Sequence, residues 1–470
     1  MRKIVFQSID SPRRELEWKL LLAAKLSKSQ IHSVIGSKAS INSIHRISRN
    51  CIFLGRLNSV TGRNDSDKEY IRQMEKNRTS IFFLHDEGAF YFEGEYQDAV
   101  RKIYPEEIFA NPVCKKVFFW GERQRSVLSD NGSTDKYYVT GHPRFDLCKE
   151  WYDNVDDFAM KQASHDYNDF VLVCTRFGAV NRVPDEPGTL SKRSFDIRFE
   201  GSNKSLANKD ILAAMFGSWK KISYEFSYFV PAIAKLAQDF PEINFLVRPH
   251  PAERESFYRE AFSHFSNVFV SKSGDVRPLI RAAKAVIHSE CTTGIEAEIS
   301  RKPNINFRPT LGMDEFKQFK VAGVSDVGVM AKDYPELKVS FQKLIDNGFE
   351  FEKGSFDISP YLYNAVDKAQ ASDFIVDELV SFSGSESRES SINKRRLIND
   401  FLQGGAKDHL RPYYHKMKSL LDVKKIYSGE TKYFRYSNED VERLWEKFGG
   451  SPGCLSIKKD VIYTYPDKQQ

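Results

Sequence analysis

Leu246-Val247-Arg248-Pro249-His250-Pro251 and Val286-Ile287-His288-Ser289-Glu290-Cys291-Thr292-Thr293-Gly294-Ile295-Glu296-Ala297 are the two stretches whose reading decides the fold. Each follows a short apolar run, Ile243-Asn244-Phe245-Leu246-Val247 and Ala285-Val286-Ile287, of the kind that forms buried strands in a parallel sheet. Each run then breaks into polar residues followed by a helical pattern. In an open α/β sheet that carboxyl edge is where ligands bind. Pro249 and Pro251 stiffen the backbone around His250, so its imidazole leaves the strand in a constrained direction. Ser289, Thr292, Thr293 and Gly294 open a helix, where backbone amides, hydroxyls and the helix dipole suit a phosphate. The plainer alternatives are a loop histidine between prolines and an ordinary capping pattern before Glu296. Two such signals, at this separation and each after a strand, favour a nucleotide site over both.

Outward from this core, the same alternation recurs toward the amino terminus. Apolar runs at 4–8, 32–35, 51–54 and 80–84 alternate with helical patterns at 12–26, 40–48 and 65–76. Strands are also expected at 116–122 and 137–140, but no GxGxxG loop is present. The run at 80–84 ends in His85-Asp86-Glu87-Gly88, three ionisable side chains with a glycine that permits a sharp turn. The plainer reading of that tetrad is a capped turn. Gly141-His142-Pro143-Arg144-Phe145-Asp146 is a stiff turn that carries an Arg and an Asp close together.

Residues 153–169 are polar and charged and read as a linker. The pattern restarts at Phe170-Val171-Leu172-Val173-Cys174 and ends at Thr175-Arg176-Phe177-Gly178. Residues 183–208 lack periodicity and read as a loop facing the site; 213–239 is a long aromatic-rich helix. Helices at 253–264 and 276–283 and strands at 268–270 and 304–307 complete the second half. Helical patterns follow at 337–347, 361–382 and 438–448, and 383–391 is low in complexity and expected to be mobile. The basic amphipathic stretch 394–421 is a candidate contact for an anionic membrane face, its plainer reading being a solvated helical face. The expected division is therefore 1–152, 153–335 and a mostly helical extension, 336–470.

Composition bounds the function. Hydrophobic residues at 41% and aromatics at 13% of 470 residues supply real cores. A net charge of +6, from 70 basic and 64 acidic side chains, does not argue for nucleic acid. No apolar run is long enough to span a membrane, and the amino-terminal residues read as a first strand, not a signal peptide. Six scattered cysteines without CxxC spacing fit reduced thiols in a cytosol and make no zinc site.

Four markers in order, His-Asp-Glu-Gly at 85–88, Gly-His-Pro-Arg-Phe-Asp at 141–146, Arg-Pro-His-Pro at 248–251 and Ser-x-x-Thr-Thr-Gly-Ile-Glu-Ala at 289–297, give the chain a wider likeness. It resembles the bacterial surface-carbohydrate biosynthesis glycosyltransferases of GT-B type over roughly residues 1–310. It is also similar, more distantly, to CDP-glycerol glycerophosphotransferases and to CMP-sugar users, the sialyltransferases and the transferases for Kdo, an eight-carbon acidic sugar. His142 stands where the surface-carbohydrate proteins typically have Asn, and the 183–208 loop is not expected of them.

The resemblance implies two Rossmann-like parallel-sheet domains facing across a cleft, with a helical carboxyl-terminal extension. It implies that His250, Ser289, Thr292, Thr293 and Gly294 hold the donor's phosphate and ribose. Glu296 would accept from sugar hydroxyls, while Arg176 and Arg248 offset phosphate charge. Asp86 or Glu87 would serve the acceptor as base or nucleophile, with His85, Gly88, Arg144 and Asp146 on the acceptor side and His250 assisting catalysis. No metal-binding Asp-x-Asp is present, so neither metal nor cofactor is expected. The expected activity is transfer of a CMP-linked acidic sugar, such as Kdo, from its nucleotide to a glycan or lipid-linked glycan acceptor, at the inner face of the cytoplasmic membrane. The alternatives are a CDP-glycerol-type polyol-phosphate transferase and an epimerase-like or non-catalytic sugar-nucleotide protein.

Overall fold

A computed structural model describes residues 3–10, 12–56, 65–86, 88, 90–128, 134–182, 209–365, 369–392, 437–458 and 461–466. Two expected features, the loop 183–208 and the basic stretch 394–421, lie outside the described residues, as does Glu87. The chain forms two compact α/β units. The first comprises Met1–Ala89, Gln97–Leu147 and Ser359–Gln470, the second Phe90–Tyr96 and Cys148–Ile358. The second unit thus takes in a short segment of the amino-terminal half and runs to Ile358, and the chain from Ser359 belongs to the first.

The first unit begins with β1 (Lys3–Ile9), β2 (Ile31–Ser37), a short β3 (Ser48–Arg49) and β4 (Ile52–Leu54). It continues through β5 (Ser80–Leu84), β6 (Cys114–Phe119) and β7 (Tyr137–Val139). Strands β2, β1, β4, β5, β6 and β7 lie side by side in parallel. The order reverses direction between β1 and β4, which makes that gap the switch point where side chains from successive loops converge.

The second unit is built from β8 (Phe170–Cys174), β9 (Asn244–Arg248), β10 (Val268–Val270), β11 (Ala285–His288), β12 (Asn304–Phe307) and β13 (Val329–Ala331). They form an all-parallel sheet in the order β10-β9-β8-β11-β12-β13. Alternate residues of β8 enter different cores: Val171 and Val173 pack on one face with Phe229, Ile233 and Phe341, Phe170 and Leu172 on the other with Leu279 and Ile280. Burial on both faces is why these strands read as unbroken apolar runs. The switch point here lies between β8 and β11.

Residues 153–169 are not a linker. Helix Asp153–Tyr167 packs on helix Val276–Ala282 through Asp156, whose carboxylate takes Arg277 at 2.7 and 2.8 Å and Arg281 at 2.8 Å. One of its charges, Asp156, is buried in pairs with residues far along the chain, while Asp153, Asp157, Lys161 and Asp169 stay exposed.

After the second unit the chain returns to the first. Helix Ala371–Ser385 leads to β14 (Ser391–Ile392), which pairs antiparallel with β3. Segment 383–391, expected to be mobile, is tied down: Ser390 is buried, its hydroxyl donates to the Asn50 carbonyl at 2.7 Å, and Lys3 donates to the Arg388 carbonyl at 2.5 Å. Helix Asn438–Lys447 precedes β15 (Leu455–Lys458) and β16 (Val461–Thr464); β16 pairs antiparallel with β2 and closes that edge. The extension is thus partly strand. Among the described residues no helix is long and apolar enough to cross a membrane.

Candidate functional site

In the second unit four loops leave the carboxyl ends of β8, β9, β11 and β12, and their polar residues converge about the switch point. Arg176, just past β8, reaches the loop after β11: its Nε donates to the Ser289 carbonyl at 2.5 Å. Its Nη2 pairs with Glu290 at 2.5 Å and with Glu225 at 3.0 Å. Glu225 and Lys221 stand one turn apart on helix Lys209–Asp239, Lys221 bonding Glu225 at 2.8 Å and also Glu290. Arg308, after β12, completes the set with its Nε 3.0 Å from Glu290. Ser325 donates to Glu290 at 2.5 Å, and Thr310 donates to Glu225 at 2.6 Å.

Glu290 is held in this position by a backbone few side chains adopt. Its φ is +43°, in the left-handed region, at a typical cost of about 1–3 kcal/mol. Its amide donates to the Asn306 side chain at 2.9 Å, and the Asn306 amide group in turn spans the carbonyls of Ser325 and Val327. Burial pushes the Glu290 carboxyl up, but Lys221, Arg176 and Arg308 outweigh it and hold it down at about 2.

Helix Thr292–Ile299 starts directly after this loop, with Cys291 as a cap that supplies no side-chain bond. First-turn amides have no partner within a helix, so this end presents donors toward the strand edge. Ser289 sits fully buried beside it with no hydrogen-bond partner for its hydroxyl. Thr292 and Thr293 are half-buried in the first turn, and the Thr293 hydroxyl, like that of Ser289, is buried with no hydrogen-bond partner. Gly294 has a packing reason: a Cβ there would lie 2.3 Å from His288 Nε2, and its amide is already given to the Cys291 carbonyl at 2.9 Å. His288 accepts from the Cys291 amide on Nδ1 and meets Asn304 through Nε2; burial lowers it to about 4, so it is neutral. Glu296 is buried in the next turn.

The loop after β9 is held from beneath. Glu253 accepts from the Phe177 amide at 2.9 Å, the His250 amide at 3.2 Å, the Thr175 hydroxyl at 2.9 and 3.0 Å, and the Tyr258 hydroxyl. It ties the β8 and β9 loops to one point, and burial pushes it up to about 7. His250, half-buried, accepts from the Ala252 amide on Nδ1 at 3.2 Å, which leaves its ring proton on Nε2 in the neutral form. Arg248 turns away to hold the carbonyls of Ser273 and Gly274 at 2.7 and 2.6 Å.

The arrangement thus brings Arg176, Ser289, Thr292 and Thr293 to one edge, with His250 on the neighbouring loop. Arg176 is committed to two carboxylates, Arg248 braces a loop, and Gly294 makes room for His288.

In the first unit, Asp86 is buried between Lys19 at 3.2 Å and Arg56 Nε at 3.2 Å. Arg56 continues to Asp10 at 2.7 Å, Lys38 lies 3.6 Å from Asp10, and Lys19 bonds Glu15 at 2.7 Å. The His85 carbonyl accepts from Trp120 at 2.9 Å, and the Gly88 carbonyl accepts from Gln124 at 2.6 Å. Asp146 is turned inward, accepting from Asn364 at 2.6 Å and from the amides of Ala371 and Ser372 at 3.1 and 2.7 Å. It caps helix Ala371–Ser385, whereas its neighbour Arg144 is half-buried with its guanidinium 5.5 Å from the Phe145 ring.

Sequence reasoning missed Lys221, Glu225, Glu253 and Arg308. A Lys–Glu pair four apart in an aromatic-rich helix is a signal for the first two, and Arg308 follows a strand as Arg176 does. Among the described residues no group of His, Cys, Asp or Glu is placed to hold a metal ion.

No protein-family model matches the sequence. No curated protein matches it. Several solved structures do. The UDP-GlcNAc 2-epimerase from Neisseria meningitidis bound to UDP-GlcNAc matches at TM-score 0.48 and 14% identity, over 81% of this chain and 100% of that one. The UDP-GlcNAc 2-epimerase from Methanocaldococcus jannaschii matches at 0.48 and 11%, again over 81% and 100%. The wall teichoic acid polymerase TagF with CDPG matches at 0.42 and 11%, over 82% and 90%. Likeness of this grade leaves the chemistry to the chain's own side chains.

Proposed function

We propose that the chain is a metal-independent enzyme acting on a nucleotide-activated sugar, with the nucleotide's phosphate held by the second unit at the start of helix Thr292–Ile299. The observation that carries this reading is Ser289, a fully buried hydroxyl with no partner beside a helix amino terminus at the sheet's switch point. A buried hydroxyl without a bond is costly, and a phosphate oxygen would supply it. His250 would donate from Nε2 to the same ligand, and Glu296 would accept from sugar or ribose hydroxyls.

Two reactions are open to such a site. Rearrangement of the nucleotide-sugar itself, as in an epimerase, is favoured by the state of Asp86: both Lys19 and Arg56 engage it, so it is not offered to an acceptor hydroxyl. Transfer of a CMP-linked acidic sugar to a surface-glycan acceptor remains the second reading, supported by the ordered motifs and by Glu87 as the acceptor-side carboxylate.

Thermal unfolding with CMP, CDP, UDP and GDP tests the shared part. A nucleotide at a hundredfold excess over its Kd should stabilise the fold by about 2.7 kcal/mol. Ser289→Ala should leave the unliganded protein as stable or slightly more so, since no bond is lost, and should weaken nucleotide-dependent stabilisation, as should His250→Ala. A full nucleotide shift in both variants would move the site elsewhere. Incubating the stabilising nucleotide's sugar conjugates without acceptor separates the reactions, because epimerisation proceeds under those conditions and glycosyl transfer to a glycan does not.

A further inference from the structure

Among the described residues the ion network of the second unit has an excess of one positive charge, and two of its cations, Lys221 and Arg308, line a cavity. Arg176, Lys221 and Arg308 stand against Glu225 and Glu290, with all five side chains buried or nearly so. Asp326 lies 3.8 Å from Arg308 but is held by Lys320 at 2.7 Å, so the next pair outward adds one charge of each sign and leaves the excess in place. Glu253, buried nearby, is engaged by amide and hydroxyl donors, and Glu296, also buried, lies a turn into helix Thr292–Ile299.

The cavity, of about 200 Å³, has Lys221, Arg308 and Thr310 as its polar floor. Leu311, Met313 and Phe316 supply an apolar wall, and Lys317, Lys320 and Asp326, the last paired with Lys320, complete the lining. A charge withdrawn from water and left uncompensated is unfavourable, so a floor of this kind is completed by an anion. Arg and Lys donors side by side suit the oxygens of a carboxylate or phosphate. The apolar wall asks in addition for a carbon body attached to it.

We propose that this cavity is a second ligand site, separate from the helix Thr292–Ile299 amino terminus, which takes an oxyanion, carboxylate or phosphate, carried on a small organic body. Glu290 connects the two places. One of its oxygens faces Arg176 and Lys221, the other Arg308 and Ser325, so an anion that draws Lys221 and Arg308 changes the support of the loop that starts the helix.

The test uses the full chain with three probes at constant ionic strength: inorganic phosphate, N-acetylneuraminate as a carboxylated sugar, and N-acetylglucosamine as an uncharged control. Lysine acylation read by mass spectrometry locates the ligand. Phosphate or N-acetylneuraminate should slow acylation of Lys320 severalfold relative to the distant Lys338, and N-acetylglucosamine should not. Protection by one anion alone identifies whether phosphate or carboxylate is the natural group; either supports the site. Lys320→Glu, a rim change that spares the buried network, should weaken anion-dependent thermal stabilisation about tenfold in apparent Kd, a typical loss when an attractive charge becomes repulsive. Ser289→Ala should leave Lys320 protection intact even where it abolishes nucleotide binding. No protection by either anion, or anion-dependent stabilisation undiminished in Lys320→Glu, overturns the proposal.

Discussion

Asp10, Glu15 and Asp86 meet Lys19, Lys38 and Arg56 in the first unit, three carboxylates with three cations. Glu225 and Glu290 meet Arg176, Lys221 and Arg308 in the second, two carboxylates with three cations. Both networks are assembled the same way. Each gathers charges from loops at the carboxyl ends of parallel strands and adds a helix lysine paired to a carboxylate four residues away. In the first unit burial alone would lower Lys19, and Asp86 with Glu15 outweigh it; the group is internally satisfied. In the second no carboxylate among the described residues that pair with the network neutralises the surplus cation, because Asp326 at its edge is matched by Lys320. A balanced network at a switch point is complete as architecture, while an unbalanced one is built to receive something. That difference favours ligand binding in the second unit on electrostatic grounds alone.

Removing one lysine from each network breaks or sharpens the comparison most directly. Lys19→Met leaves three carboxylates with two cations and should cost about 3–5 kcal/mol, the usual penalty for breaking a buried pair. Lys221→Met brings the second network into balance, and its Met stem replaces most of the lost packing, so the cost should stay below about 1 kcal/mol. Hydrogen exchange read separately over the two units measures each cost locally. Equal losses would mean that the surplus charge is already compensated, and the contrast between the networks would fall.

Acid should separate the units next. Glu290 is held at about 2 against an ordinary 4.5, so its contribution is present above 4.5 and is lost as pH falls toward 2. His288 is held at about 4 by burial against 6.5; the unfolded chain binds its proton first, and stability falls as pH drops from 6.5 to 4. His45 in the first unit is lowered to about 4 for the same reason, so the histidine window is shared. The distinguishing loss is the one through the Glu290 range. It is expected at about 1–3 kcal/mol, since each tenfold change in acidity is worth about 1.36 kcal/mol and relaxation of the network returns part of it. Protection around Ser325 and helix Thr292–Ile299 should therefore fall as pH drops from about 4 toward 2, beyond the His288 window, and should hold there in Glu290→Gln.

Much of this architecture is legible in the sequence because the strands are covered on both faces: Ser80–Leu84 and Phe170–Cys174 announce themselves as apolar runs. The loops of the second unit are legible for a related reason, since polar residues directly after such runs must sit at the sheet's edge. What escapes is pairing over distance. Asp156 looks like solvated linker because Arg277 and Arg281 are over a hundred residues away. Asp146 looks like a cleft residue because the helix it caps begins at Ala371. Thr464 accepts from the Ser33 amide at 3.2 Å across nearly the whole chain, and no local pattern announces that return. Lys221 and Glu225 resemble an ordinary exposed helix pair until Glu290 is placed against them.

Glu253 offers the finest adjustment of the comparison, because it is a buried carboxylate served by dipoles where the networks use charges. Thr175, Phe177, His250 and Tyr258 donate to it, yet burial dominates and raises it from 4.5 to about 7. The sign follows from proton uptake: between those values the folded protein holds the proton more tightly than the unfolded chain, so stability declines as pH rises from 4.5 to 7. Glu253→Gln keeps an oxygen for the Phe177 and His250 amides and cannot ionise. Its stability should therefore depend less on pH in that window, the variant gaining on the wild type by about 1 kcal/mol toward neutrality. That value lies below the ceiling of about 3.4 kcal/mol that this window sets at about 1.36 kcal/mol for each tenfold change in acidity, because a carboxylate with several donors relaxes as it ionises. The same substitution should flatten any pH dependence of nucleotide affinity there, since Glu253 holds the loops that carry Arg176 and His250. Parallel pH slopes for variant and wild type would show that Glu253 stays ionised in the fold, as Glu290 does, and that its four donors suffice without a cation.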